Sequence, residues 1–90
     1  QGRVAESEAI VRRVLAIRRR TLPHEDPLIA SSLAALGECL CDGGRWAEAE
    51  GAFREALAIR EAARPRNPRD VEKARAALDR AIRGRTGRSG

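Results

Sequence analysis

Three groups of residues in this 90-residue chain could do chemistry. The first is Cys39 and Cys41, a C-x-C pair, with His24, the one histidine. A thiolate metal site, a disulfide, or a cysteine nucleophile with its base would draw on these types. The spacing argues against each. On a helix, residues two apart point about 200° away from each other, so the two thiols neither share a metal nor close a disulfide. His24 sits in the loop ahead of the helix that carries them, and no second Cys/His cluster exists to complete a ligand set. The expectation is one buried and one surface thiol in a reducing, cytoplasmic setting. The second group is Glu48, Glu50 and Glu55, which recur at helical spacing beside Arg45 and Arg54. They read as solvent-facing ion pairs worth a few tenths of a kcal/mol, about 0.3 each, and not as an acid–base pair. The third is Gly43-Gly44. It follows a helix instead of a strand and lacks a phosphate-loop lysine. No catalytic residue, metal or cofactor is therefore expected, and the chain reads as non-enzymatic.

The elements that carry these residues are organised around Leu33 to Ile59. Leu33, Leu36, Gly37 and Leu40 share one helical stripe, and Trp46, Ala49, Ala52, Phe53, Ala56 and Leu57 share another. The turn Asp42-Gly43-Gly44 folds the two helices against each other, since glycine takes a left-handed cap cheaply. Gly37 lies mid-helix, where glycine costs about 1 kcal/mol relative to alanine. Close approach of the second backbone is the expected compensation, with Ala49 and Ala56 facing it and Phe53 and Leu36 filling the space beside them.

The rest of the chain repeats this unit. Gly2-Arg3-Val4-Ala5-Glu6 returns 42 residues later as Gly44-Arg45-Trp46-Ala47-Glu48. The same offset pairs Glu8 with Glu50, Arg12 with Arg54, Leu15-Ala16-Ile17-Arg18 with Leu57-Ala58-Ile59-Arg60, and Ala34-Ala35-Leu36 with Ala76-Ala77-Leu78. A repeat of this length means a solenoid. No stretch alternates in the manner of a strand, so the fold class is all-α. The pattern predicts about four helices, over residues 3–20, 27–41, 45–63 and 68–83, stacked as antiparallel hairpins. Asp26-Pro27 and Asn67-Pro68 are the cap-plus-proline starts. Residues 84–90 read as a flexible basic tail. In the fourth helix, Arg75 and Asp79 stand where Leu33 and Gly37 stood, which reads as a polar terminal cap. The first helix carries Val4, Ile10, Val11, Val14, Leu15 and Ile17, a surface wider than one neighbour covers. A missing partner helix, or self-association through this helix, is expected there. The chain starts at Gln1 and is expected to be a piece of something longer.

Leu36-Gly37, Leu40, Gly44, Trp46, Ala49, Phe53 and Ala56 resemble the signature of the tetratricopeptide repeat, a helix–turn–helix unit. Leu33 replaces its first large aromatic and Leu40 its tyrosine-type position. The 42-residue length, with the ALAIR ending of the long helix, is similar to the kinesin-light-chain type. That type often places paired asparagines on its concave helix, where this chain has Ala34-Ala35. The resemblance implies a protein–protein interaction module that holds a partner peptide or helix in a concave groove. Its groove face would show Ser31, Ala34, Glu38, Cys41 and Asp42 from one helix. Lys73, Ala76, Arg80 and Arg83 would follow from the last, as a basic end for acidic side chains or a terminal carboxylate.

The formal charge of +5 is carried almost wholly by arginine, Lys73 being the one lysine. A nucleic-acid-contacting element is the alternative reading. Two aromatics, Trp46 and Phe53, both wanted in the core, leave no stacking platform for single strands. Nucleic acid is therefore disfavoured against an arginine-rich solvated surface. No apolar run approaches the length of a membrane span.

Overall fold

Two acid- or amide-proline steps set the starts of the inner helices. The Asp26 side chain accepts a hydrogen bond from Leu28 N at 2.9 Å, and the Asn67 side chain accepts one from Arg69 N at the same distance. Each is followed by a proline whose missing N–H costs nothing in the first turn. The computed structural model describes residues 2–87 and holds four helices: α1 (Gly2–Thr21), α2 (Pro27–Asp42), α3 (Trp46–Ala62) and α4 (Pro68–Arg85). No strand occurs among the described residues.

The α2–α3 turn closes as a Schellman motif. Arg45 N donates to Leu40 O at 2.8 Å and Gly44 N to Cys41 O at 2.9 Å. Gly44 takes the left-handed φ of +74° that this motif requires. The helices pack in chain order: α2 most extensively on α3, α3 on α4, and α1 on α2, with a narrow contact between α2 and α4. α1 reaches α3 only through side chains, chiefly the Arg19–Glu55 ion pair, and does not pack against α4. The core is built mainly from α2 and α3. Ile29, Ala30, Leu33, Leu36 and Leu40 face Ala49, Ala52, Phe53, Ala56 and Ile59, with Leu78 and Ala81 closing it from α4. Leu15 is the one buried hydrophobic of α1.

Two expectations are corrected. Gly37 does not admit the facing backbone; it admits a ring. A Cβ there would stand 2.4 Å from Phe53 Cε1. The last helix does not stop at Arg83. It continues through Gly84 and Arg85, because the indole of Trp46 covers Gly84 and holds that turn in place. The left-handed stop falls at Gly87, φ +76°. Of the expected tail, residues 88–90 lie outside the described residues.

Candidate functional site

The duplicated helices share a charge arrangement that fixes their spacing. Glu8 accepts from Arg12 at 2.8 Å on its own helix and from Arg45 at 2.8 Å across the α2–α3 turn. Glu50 does the same one repeat later, with Arg54 at 2.7 Å and Arg85 at the end of α4. Hydrogen bonding from Arg12, helped by Arg45, holds the Glu8 carboxyl below its ordinary value. Arg54 and Arg85 do this for Glu50. Glu50 was expected to face solvent; its side chain is only 15% exposed. Glu55 instead spans back to α1, where it accepts two bonds from Arg19.

Inside this frame, α2 and α4 leave a cleft of about 180 Å³. Its walls are small: Ala30 and Ala34 on α2, Ala74 and Ala77 on α4. Phe53 and Ala56 of α3 form the floor, and Glu38, Arg60, Asp70 and Lys73 stand at the rim. The small side chains cause the opening. Larger residues at these four positions would close the gap between helices that already touch elsewhere.

The sequence-predicted groove residues divide. Ala34, Glu38 and Lys73 line the cleft. Ser31 is exposed beside it and accepts a hydrogen bond from Arg60 at 3.2 Å. Arg80 pairs with Glu38 across the two helices, so its charge is largely answered within the chain. Asp42 belongs to a different depression, with Val4, Ala5, Glu8, Cys39, Gly43 and Arg45. Arg83 is exposed and makes no ion pair among the described residues. Ala76 is exposed; Ala77 turns inward in its place. Sequence reasoning missed Arg60, Asp70 and the α3 floor. Assigning the groove to first helices alone hid Arg60 and the floor; Asp70 lies on such a helix, α4, one turn before Lys73. The recurrence of Arg18 as Arg60 was the available signal.

The signature residues do what their sizes dictate. Leu36, Leu40, Ala49, Phe53 and Ala56 are buried, Gly37 lies under Phe53, Gly44 makes the turn, and Trp46 is half-buried over Gly84.

Of the thiols, Cys41 is buried and Cys39 half-buried instead of at the surface. Burial pushes both up from the ordinary thiol value; Arg80 opposes this at Cys41, and the carboxylates of Asp42, Glu8 and Glu38 add to it at Cys39. Both are thus protonated and poorly nucleophilic at neutral pH. No group of three or more Cys, His, Asp or Glu gathers as a metal site among the described residues. No described helix is long and apolar enough to cross a membrane.

Neither a curated protein nor a solved structure matches the chain. The family profile described as Tetratricopeptide repeat matches residues 1–62, the whole of α1 to α3. That match covers well over half of the sequence, and it ends with the last residue of α3, ahead of the loop that leads to α4. With helical hairpins, a glycine seated under an aromatic ring and a 42-residue period already established from the residues, the chain belongs to the tetratricopeptide repeat family, a protein-interaction fold.

Proposed function

We propose that the protein is a non-catalytic docking module that holds a segment of a protein partner in the α2/α4 cleft. The observation that carries this is the alanine-walled opening itself, apolar at its floor and charged at its rim. At about 180 Å³ it exceeds the roughly 150 Å³ of an engineered apolar cavity that accepts benzene, so one side chain of a partner fits. Lys73 and Arg60 stand where they pair with a carboxylate beside that side chain. The kinesin-light-chain type of repeat, a position at the end of a longer array and a cytoplasmic setting accord with the 42-residue period, the exposed Arg75 and Asp79 of α4 and the two free thiols.

The test is a peptide-display selection against the folded chain, followed by measurement of the selected peptides on variants. Ala34→Trp fills the cleft and abolishes binding; Lys73→Glu with Arg60→Glu weakens acidic binders about tenfold or more. Binders indifferent to both changes, with helicity unchanged, would overturn the reading. The nucleic-acid alternative has the arginine surplus for it. Against it, Phe53 is buried and Trp46 lies on Gly84, which leaves neither ring free for a base. Binding to random DNA that persists near physiological salt with a steep salt slope would reverse that preference.

A further inference from the structure

The internal repeat places one arginine at two helix interfaces, and the two copies are held differently. Arg18, near the end of α1, lies on α2. Its guanidinium donates to Leu28 O and to Ser32 Oγ, each at 3.0 Å. Ser32 is the one buried polar side chain among the described residues, and this bond satisfies it. Arg60 stands at the same point of the next copy, near the end of α3. There the counterparts of Leu28 and Ser32 are Asp70 and Ala74, both on α4. The hydroxyl is gone. Arg60 turns instead across the cleft to α2, where exposed Ser31 accepts a single hydrogen bond at 3.2 Å.

A guanidinium carries five N–H donors, so one long bond to a surface hydroxyl leaves most of them unmet. Arg60 also makes no ion pair among the described residues. Ala74 itself lines the cleft. The exchange of serine for alanine thus removes the internal acceptor and one wall atom together.

The surroundings indicate what takes the place of that hydroxyl. At the Glu38 end of the cleft, Arg80 is already paired. At the end toward the α3–α4 loop, Arg60 and Lys73 stand on the rim, Arg69 lies one turn before Lys73 on α4, and Arg66 precedes it in the loop. None of these four cations is ion-paired among the described residues; the unpaired acids there are Asp70 and Glu72. The excess positive charge therefore lies on one side of the opening.

We infer that Arg60 is the specificity-determining residue of the cleft, and that it grips an aspartate or glutamate side chain inside a partner segment, in the role that Ser32 plays for Arg18. The inference rests on the docking reading above and names the chemistry of the partner. Acidic residues run from the apolar anchor toward Arg66 and Arg69, which a chain-terminal carboxylate would leave unanswered. Lys73 adds charge but lacks the planar fork that holds a carboxylate at both oxygens.

The probe is an amidated peptide with one leucine followed by three glutamates. A glutamine version and a version that ends at the leucine with a free carboxylate are the comparisons. Affinities come from titrations of the backbone amide shifts of the folded chain. The glutamate peptide binds about tenfold tighter than either, or more. Ala74→Ser returns an internal acceptor to Arg60 and changes no charge. It weakens the glutamate peptide about fivefold, the worth of one hydrogen bond, and leaves the glutamine peptide unaffected. In an Arg60→Gln background the same serine makes no further difference, whereas a steric effect of the hydroxyl would persist there. Arg60→Lys keeps the charge and still loses most of the preference for glutamate. If Ala34→Trp blocks the glutamate peptide but Ala74→Ser leaves its affinity unchanged, the cleft stands and the role of Arg60 falls. Absence of binding, or binding indifferent to Ala34→Trp, would overturn the docking reading and this inference with it. Equal affinity for the peptide with the free carboxylate would overturn the choice of an internal acidic side chain.

Discussion

Trp46 lies against the backbone of Gly84 so closely that a Cβ on that glycine would stand 2.3 Å from Cδ2 and Cε3 of the indole. Gly37 stands in the same relation to Phe53, at 2.4 Å from Cε1. α3 thus presses one ring into each of its neighbours, and each neighbour answers with a glycine. The two contacts differ in how far the ring can yield. Phe53 is 1% exposed and walled in on all sides, whereas Trp46 is half-buried at the start of its helix. Overpacking of this kind costs about 1–3 kcal/mol, set against roughly 1 kcal/mol gained when alanine replaces a helical glycine. Gly37→Ala should therefore destabilise by about 1–2 kcal/mol in urea unfolding. Gly84→Ala should cost less than about 1 kcal/mol, because the indole can swing outward. A Gly37→Ala protein as stable as the parent would refute the account of why that glycine is there.

Gly51 is the control for this reasoning. It lies inside α3, yet nothing stands within 4 Å of a Cβ built on it. Without a contact to lose, Gly51→Ala should gain the propensity difference, about 0.5–1 kcal/mol. Thermal denaturation followed by circular dichroism reads this as a higher Tm. A lower Tm would mean that an unrecognised neighbour approaches the position.

How much of this was legible in the chain follows from the kind of force involved. The hairpin, the caps at Asp26 and Asn67 and the turn at Gly44 are local, and spacing alone predicted them. The offset of 42 residues carried the architecture from one hairpin to four helices. What spacing could not rank was two glycines near one helix end. Gly84 reads as a stop until the partner across the interface is known, and that partner, Trp46, is 38 positions away in sequence. The site was half legible for the same reason. Ala34, Glu38 and Lys73 followed from the helical face, but the floor at Phe53 and Ala56 depends on how far apart α2 and α4 sit. Only the sizes of Ala30, Ala74 and Ala77 acting together set that distance.

The caps offer a separate check on local energetics. The Asp26 and Asn67 side chains each satisfy one orphan N–H in the first turn of a helix that contributes to the cleft. Removing either should cost about 1 kcal/mol. Asp26→Ala and Asn67→Ala are expected to lower the urea midpoint by similar amounts and to add in the double variant, because they serve different helices. Strong non-additivity would mean that α2 and α4 unfold as one unit whose ends communicate through the cleft.

Acid should loosen the stack before it melts the helices. Glu8, Glu48, Glu50 and Glu55 all lie below the ordinary carboxylate value of 4.5, each chiefly through an arginine hydrogen bond. A depressed folded value means that the unfolded chain binds protons first as the pH drops. The stabilisation is therefore complete above 4.5 and is lost as the pH falls through the lower folded values. Glu8 and Glu50 matter most to the stacking, because each ties its helix to an arginine of the next element, Arg45 and Arg85. The Tm should hold level from pH 7 to about pH 5 and fall below 4.5. Glu8→Gln with Glu50→Gln should lower the neutral Tm and flatten the acid limb, since two of the titrating groups are gone. An unchanged acid limb in that variant would assign the pH dependence elsewhere and remove the repeated Glu–Arg–Arg contacts from the account of how the helices hold their spacing.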